Sequence, residues 1–163
     1  INSFDEKKLA DIFYEFGEEK YSRRIAKNIV INRTKKPIEN TLELSEIIKK
    51  SVPIKQNFKK THPATKTFQA LRIFINDELN ELKIALEKSE NLLAKNGLLI
   101  IVSFQSLEDR IVKDFFNHKS GKRWRSSRHY PELADKGQIT FKLITKRPII
   151  TIMKRSFAIN GKC

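Results

Sequence analysis

The sequence is poor in cysteine and histidine and has no long apolar run, and each shortage excludes a class of protein. Its only cysteine among 163 residues is Cys163, which excludes a disulfide framework and a clustered-cysteine metal site. His62, His118 and His129 lack metal-ligand spacing and are each predicted to be surface residues. No apolar run approaches the roughly 20 residues of a membrane span, and no signal peptide is visible. We therefore expect a cytoplasmic protein with no membrane partner and no metal.

Glycine is also scarce. The five glycines stand at positions 17, 97, 121, 137 and 161, so no two of them are close in the sequence. A phosphate-binding loop needs clustered glycines, because its backbone must turn tightly and approach the phosphate closely. A complete dinucleotide-type cofactor site is therefore not expected on this chain.

Positive charge, by contrast, is abundant and unevenly placed. The formal net charge is +14, and residues 117–163 carry twelve Lys or Arg against two acidic residues. Residues 1–116 carry 21 Lys or Arg against 17 acidic residues. Such asymmetry favours a polyanionic partner, of which nucleic acid is the commonest, although a solvated basic tail would give the same composition.

The most informative segment is an apolar run that leads directly into a polar cluster. Residues Leu98–Val102 are all apolar, and Ser103–Arg110 follow and open an amphipathic helix. The run predicts a strand buried on both faces, as in a parallel sheet, and an α/β fold class. Polar residues at the end of such a strand lie where open α/β sheets bind ligands, and a helix start attracts anions. A structural capping box of Ser106 with Asp109 explains the cluster equally well.

The rest of the chain is mostly helical in pattern, and residues 1 to about 55 show no strand signal. The patterns predict helices at 6–16 (capped by Asp5, ended by Gly17), at 18–33, from a Thr41 cap to Pro53, from Thr67 to about Ala94 with a break near Asp77, and at 106–116. A polar loop is predicted over 117–137 and a half-buried strand over 138–144. From Pro148 onward the pattern is ambiguous.

One further pair of residues is compatible with RNA binding. Phe68 and Arg72 lie four apart on a predicted helix, and an aromatic ring with a guanidinium group can stack on and neutralise RNA. A core position for Phe68 with a solvated Arg72 explains the same spacing.

Three stretches resemble the signatures of one protein family. They are YEFGEEKYSRRIA at residues 14–26, THPATKTFQALRI at 61–73 with Asn76–Leu79 behind it, and SFQSLEDRIVK at 103–113. In this order and spacing they are similar to the S-adenosylmethionine-dependent small-subunit rRNA (cytosine-N4)-methyltransferases, the MraW/RsmH family. Gln105 stands where the family usually has a histidine.

The resemblance implies a partial Rossmann-like methyltransferase fold with an N-terminal helical insertion subdomain. Residues 1–75 would be the insertion, 76–150 the C-terminal part of the methyltransferase domain, and 151–163 a tail that departs from the family's usual ending. The family's glycine-rich cofactor motifs would precede residue 1, so no cofactor-binding residue is assigned. S-adenosylmethionine is the family's cofactor, and we do not expect this fragment to bind it alone.

The resemblance also implies site residues and partners, although no catalytic residue is assigned. A pocket wall is expected at Ser103, Phe104, Gln105, Ser106 and Arg110, and RNA contacts are expected from Arg23, Arg24, Lys27, Lys66 and Arg72. The expected partner is small-subunit rRNA or the ribosomal subunit. A separate polypeptide that carries the cofactor-binding half is a further candidate partner, which the sequence leaves open. The implied function is part of an rRNA cytosine-N4 methyltransferase that is inactive alone. A noncatalytic basic RNA-binding module and a nonfunctional remnant of a split gene are the alternatives.

Overall fold

The computed structural model describes residues 1–53, 61–122, 139–145, 149–150 and 155–161. Over these residues the chain is mainly helical, with a few short strands, and it divides into two compact units of residues 1–78 and 79–163. None of the described helices is long and apolar enough to cross a membrane. The connector at 54–60, most of the predicted loop at 117–137 and His129 lie outside the described residues.

The first unit contains four helices: α1 (Glu6–Gly17), α2 (Ser22–Arg33), α3 (Thr41–Ser51) and α4 (Thr65–Asn76). Helix α5 (Glu78–Leu92) follows, and the second unit continues with β1 (Leu98–Ser103), α6 (Ser106–Lys119), β2 (Phe141–Leu143), β3 (Ile149–Ile150) and β4 (Arg155–Gly161). Helix α1 packs against α2 and α4, and α2 packs against α3.

Helix α1 begins and ends through two specific backbone arrangements. Asp5 is the N-cap, as predicted, because its Oδ1 accepts a hydrogen bond from the Lys8 N–H at 2.6 Å. The helix ends at Gly17, as predicted, but Glu18 and not the glycine is the left-handed residue (φ 48°) that closes it. A Cβ atom on Gly17 would lie 2.5 Å from the carbonyl oxygen of Lys66. Gly17 therefore allows α1 and α4 to approach closely.

Helices α2 and α3 each begin at a different residue from the one predicted. Helix α2 begins at Ser22 rather than at residue 18, because the left-handed Glu18 turns the chain and the Glu19 N–H bonds back to the Phe13 carbonyl at 3.1 Å. Asn40, not Thr41, caps α3, and its Oδ1 accepts a hydrogen bond from the Glu43 N–H at 2.9 Å.

The predicted break in the long helical pattern near Asp77 is confirmed. Asp77 adopts the left-handed conformation (φ 51°) between α4 and α5. The Arg72 guanidinium spans this break and donates to both carboxylate oxygens of Glu78, at 2.8 and 3.1 Å. Helix α4 begins at Thr65, two residues before the predicted start, and the Thr65 N–H donates to the His62 carbonyl.

The first unit buries a hydrophobic core that is drawn from residues 9–70 alone. Its buried members are Leu9, Ala10, Ile12, Phe13, Ile25, Ala26, Ile29, Ile38, Leu44, Ile47, Ile48, Val52, Ala64 and Ala70. The buried Ser51 hydroxyl is satisfied, because it donates to the Ile47 carbonyl at 2.6 Å and accepts from the Asn28 amide at 2.8 Å. The Ser51 hydroxyl thus has both a donor and an acceptor, whereas the hydroxyl of Thr67, also buried in this unit, has no partner among the described residues.

The second unit is built on a small sheet with the strand order β1–β4–β2, and β3 also pairs with β4. Strand β4 runs antiparallel to each of these neighbours, with Leu98 opposite Asn160 and Phe141 opposite Gly161. Strands β1 and β2 therefore run in the same direction, separated by β4. The ambiguous end of the sequence supplies this shared strand, so the expected divergent tail is part of the sheet over residues 155–161.

The prediction that Leu98–Val102 is buried on both faces is wrong. Leu98, Ile100 and Val102 are 49%, 57% and 50% exposed, whereas the alternate residues face the core. Among the described residues, that core contains the buried side chains of Leu86, Val112, Phe116 and Phe141, with Leu99 and Ile101 of β1 packed against them. The described strands form a one-sided antiparallel sheet rather than the parallel, doubly covered sheet that the apolar run predicted.

Candidate functional site

The exposed side of α2 carries three adjacent positive charges. Arg23, Arg24 and Lys27 are exposed, whereas Ile25 and Ile29 on the other side of the helix are fully buried. None of the three cations forms an ion pair with a residue that the structure describes. We call this surface the basic face. Unpaired exposed guanidinium and ammonium groups are suited to contact phosphates, which accept hydrogen bonds and carry negative charge.

Two other predicted RNA contacts, Lys66 and Arg72, have intramolecular partners. The Lys66 ammonium donates to the Glu18 carbonyl at 2.9 Å, which places it over the turn that leads into α2. Arg72 is held in the bidentate pair with Glu78, and Phe68 packs against the core of the first unit. The structure therefore favours the core position for Phe68, and RNA contacts by Lys66 and Arg72 stay predictions.

A pocket of about 330 Å³ lies within the first unit, beside the start of α4. Its lining residues come from the α1–α2 turn, the end of α3 and the approach to α4: Glu19, Lys20, Tyr21, Val52, Thr61, His62, Pro63 and Lys66. Two lysines, one histidine and the buried Glu19 thus line one cavity, alongside apolar side chains. We call it the first-unit pocket.

The residues predicted to form a pocket wall at the tip of β1 differ in burial. Ser103 is buried, and its hydroxyl donates a short hydrogen bond to the buried carboxylate of Asp109. Phe104 is 57% exposed, and Ser106 and Arg110 are also exposed. The Ser103–Asp109 bond ties the strand tip to the first turn of α6.

The start of α6 is capped one residue earlier than predicted. Gln105 is the N-cap residue and makes no side-chain capping bond, so Glu108 occupies the third helical position. Its Oε2 accepts a hydrogen bond from the Phe104 N–H at 2.8 Å. The predicted box of Ser106 with Asp109 is wrong, because Gln105 and not Ser106 is the N-cap residue. The polar cluster is thus, in part, a structural cap.

No cluster of three or more His, Cys, Asp or Glu side chains in the described ranges could hold a metal ion. The residues of the basic face and of the first-unit pocket instead offer hydrogen-bond donors and positive charge. That chemistry is suited to holding a polyanion in place.

Comparison with known proteins identifies the family. The family model described as the MraW methylase family matches residues 1–157. The chain belongs to the MraW methylase family. It is 51% identical over 144 residues to the Ribosomal RNA small subunit methyltransferase H of Rhodopseudomonas palustris (strain BisB18), a match that covers 88% of this chain and 42% of that protein.

Two further curated relatives carry the same printed name. The protein of Paramagnetospirillum magneticum (strain ATCC 700264 / AMB-1) is 47% identical over 91% of this chain and 46% of its own length. The protein of Caulobacter vibrioides (strain NA1000 / CB15N) is 45% identical over 91% of this chain and 48% of its own length. The MraW-family chain described here therefore spans less than half the length of these relatives.

Two of the three stretches that resemble MraW-family signatures meet in the first unit. Residues 14–26 contribute Glu19, Lys20 and Tyr21 to the first-unit pocket, and residues 61–73 contribute its Thr61–Pro63 and Lys66 wall. Sequence reasoning treated His62 as a scattered surface residue and did not single out Lys20. The one sequence signal for these two residues is that each lies in a stretch that resembles the family. Their proximity could not be predicted, because only tertiary contact brings the two stretches together.

Proposed function

We propose that this chain is part of an S-adenosylmethionine-dependent enzyme that methylates N4 of a cytosine in small-subunit rRNA. Its helical unit would hold the RNA. The observation that carries the proposal is the 45–51% identity, over about nine-tenths of this chain, to proteins named Ribosomal RNA small subunit methyltransferase H. Cytosine N4 as the methyl acceptor follows from the resemblance of the three signature stretches. The cytoplasm is the location that goes with such a substrate.

The basic face supports the RNA-binding part of the proposal. Arg23, Arg24 and Lys27 project from a helix whose other side is anchored in the core, so their backbone positions are fixed before RNA arrives. Each phosphate that they neutralise releases condensed counterions, which makes binding weaken as salt rises. Three contacts predict a contribution of about 2 to 3 to the slope of log affinity against log salt concentration.

The described residues do not fit a complete site for S-adenosylmethionine. At the tip of β1 the Ser103 hydroxyl donates to Asp109, and the Phe104 N–H donates to Glu108, so these donors are used within the turn. We propose that this chain alone does not bind the methyl donor. Calorimetry that detects micromolar binding of S-adenosylmethionine to the purified chain would contradict this proposal.

We further propose that a Rossmann-like arrangement forms only with additional family sequence, supplied by a separate polypeptide or by more of the same protein. Two observations support this. The relatives are more than twice as long as the segments that match this chain, and one face of β1 exposes three apolar side chains, Leu98, Ile100 and Val102. A further layer of polypeptide on this face would bury them, as in doubly covered sheets.

RNA binding is tested by fluorescence anisotropy with a labelled fragment of small-subunit rRNA. The variant R23Q/R24Q/K27Q should bind at least about tenfold more weakly and should show a shallower salt dependence. The matched control K36Q/K49Q/K50Q removes the same charge, and Lys36 and Lys49 are already paired with Glu39 and Glu46. Equal losses in the two variants, or binding that salt does not affect, would overturn the basic face as the RNA contact.

A noncatalytic RNA-binding module is the second candidate, and the unpaired cations of the basic face favour it. A chimera distinguishes the two, in which residues 1–157 replace the matching segment of the Rhodopseudomonas palustris relative. Methylation of small-subunit rRNA by the chimera is expected if the chain is part of the enzyme. A folded chimera that binds rRNA without methylating it would favour the module.

A further inference from the structure

We infer that the first-unit pocket binds one nucleotide unit of an RNA strand, with the phosphate between Lys20 and Lys66 and the base beside Tyr21. The inference rests on the proposed RNA-binding function and adds a specific subsite to it. The pocket has residues of its own, distinct from the basic face (Arg23, Arg24 and Lys27) and from the tip of β1.

Charge is the first argument for an anion in this pocket. The hydrogen bond from the Lys66 ammonium to the Glu18 carbonyl holds one cation over the α1–α2 turn, and Lys20 lies in that same turn. Among the described lining residues Glu19 is the only carboxylate, and its Oε1 accepts a hydrogen bond from the Tyr21 N–H at 2.9 Å. Two lysines against one glutamate give the lining residues a net positive formal charge, which favours binding of a phosphate.

Donor geometry at the start of α4 is the second argument. His62, Pro63 and Lys66 bracket the first residue of this helix, where the helix dipole is positive. The His62 Nδ1 accepts a hydrogen bond from the Ala64 N–H at 3.2 Å, so the neutral ring carries its proton on Nε2. The lining residues therefore include side chains with ammonium and imidazole donors, whereas phosphate oxygens are acceptors.

Size and lining indicate a nucleotide rather than a bare phosphate. The volume of about 330 Å³ lies within the range of roughly 300–1,000 Å³ that is typical of small-molecule sites. Val52 and Pro63 supply apolar surface, and the half-buried Tyr21 packs against the core while also lining the pocket. Aromatic rings in such positions stack on unpaired bases of single-stranded RNA.

The test is an NMR titration of the full chain with cytidine 5′-monophosphate, inorganic phosphate and cytidine as separate probes. The monophosphate should shift the amide signals of Lys20, Tyr21 and Lys66 and should bind at least about tenfold more tightly than either other probe. K20Q and K66Q should each weaken its binding by about tenfold, since each removes a charge-assisted hydrogen bond.

Control variants separate the subsite from general effects. K49Q removes an equal charge from α3 and should leave monophosphate binding unchanged, and Y21F keeps the ring and should bind nearly as well as the unaltered chain. Y21L should weaken the monophosphate but not inorganic phosphate. Equal affinity for the monophosphate and inorganic phosphate, or an unchanged affinity in K66Q, would overturn the inference.

RNA anisotropy measured on the same samples distinguishes the two proposals. If the rRNA fragment binds through the basic face while the monophosphate leaves the pocket signals unmoved, the subsite is wrong and the RNA-binding function stands. If the monophosphate binds in the pocket while the rRNA fragment does not bind, the site takes free nucleotides and the assignment to an RNA strand is overturned. If neither probe binds, both proposals fail.

Discussion

The two units of the chain differ in how completely they bury their apolar residues. Among the described residues, the core cluster of the first unit has fourteen buried apolar residues between helices, whereas the core cluster of the second unit has four beside a sheet. On β1 every second residue from Leu98 to Val102 is about half exposed. Scattered apolar exposure is ordinary, but an alternating row on one strand is a continuous patch.

This difference has a geometric origin. An amphipathic helix has one apolar stripe, so a few helices can bury all their stripes against one another. A strand presents two faces, and a continuous apolar run such as Leu98–Val102 is apolar on both. The described part of the second unit covers one of those faces. The described helices of the first unit thus bury their apolar stripes against one another, while the described part of the second unit retains an apolar surface on which further burial is available.

Removing a large side chain from the helical core should have the largest effect on stability. Phe13 is fully buried, so F13A should lower the free energy of unfolding by about 3–5 kcal/mol. Chemical denaturation gives this value, and hydrogen exchange shows whether the loss is confined to α1–α4. Y14A is the matched control, since Tyr14 is 66% exposed and should cost little. Similar losses in the two variants would contradict a self-contained core.

Substitutions of Ser103 and Asp109 test whether their hydrogen bond stabilises the contact between the end of β1 and the start of α6. A double-mutant cycle of S103A, D109A and the double variant should give a coupling free energy of about 1.5–3 kcal/mol, as for a buried hydrogen bond to a charged group. Denaturation curves of the four proteins provide the measurement. A coupling free energy near zero would argue that the tip is held by other contacts.

Adding a methyl group at Gly17 probes the closest helix contact in the first unit. G17A should destabilise the protein by about 1–3 kcal/mol, because the new Cβ would lie 2.5 Å from the backbone oxygen of Lys66. E15A, on an exposed position of the same helix, should be neutral or slightly stabilising. Thermal unfolding of both variants compares them, and equal midpoints would show that α1 and α4 separate at no cost.

Polar substitution of the exposed face of β1 should have the smallest effect on stability. L98T/I100T/V102T places β-branched threonines at all three positions and should change the free energy of unfolding by about 0.5 kcal/mol or less for each substitution. It should also reduce binding of a hydrophobic dye and any association of the chain at high concentration. L99T, on the core face, should be clearly more destabilising, and the reverse order would mean that the two faces have been assigned wrongly.

Local patterns predicted the helices of this chain better than its sheet. The apolar spacing of Leu9, Ile12 and Phe13 and the capping oxygen of Asp5 are local features, and the structure agrees with both. The predicted helix boundaries were wrong where a backbone hydrogen bond outside the regular helix pattern changes the path of the chain. The bond from the Glu19 N–H to the Phe13 carbonyl, before the start of α2, is an example. The strand at Leu98–Val102 was found correctly, but its pairing partner is more than fifty residues away in the sequence.

Some of the candidate site residues could be predicted from local sequence patterns, and others could not. Arg23, Arg24 and Lys27 could be placed on a polar helix side from the sequence, because the apolar stripe of α2 fixes which side is exposed. The pocket formed by Lys20, Tyr21, His62 and Lys66 could not be placed, because its walls come from segments some forty residues apart. The bidentate pair of Arg72 with Glu78 was also invisible in the pattern, since it depends on the turn at Asp77.

The sequence by itself determined the family, the helical character of residues 1–53 and the excess of positive charge. These depend on residue identity and on spacings of three or four residues, which act within one helix turn. Tertiary structure alone decided that Gly17 is a helix contact, that β4 is the strand shared by its neighbours, and that two signature stretches enclose one pocket. Each of these depends on close packing between distant segments, and such packing is set by the whole fold.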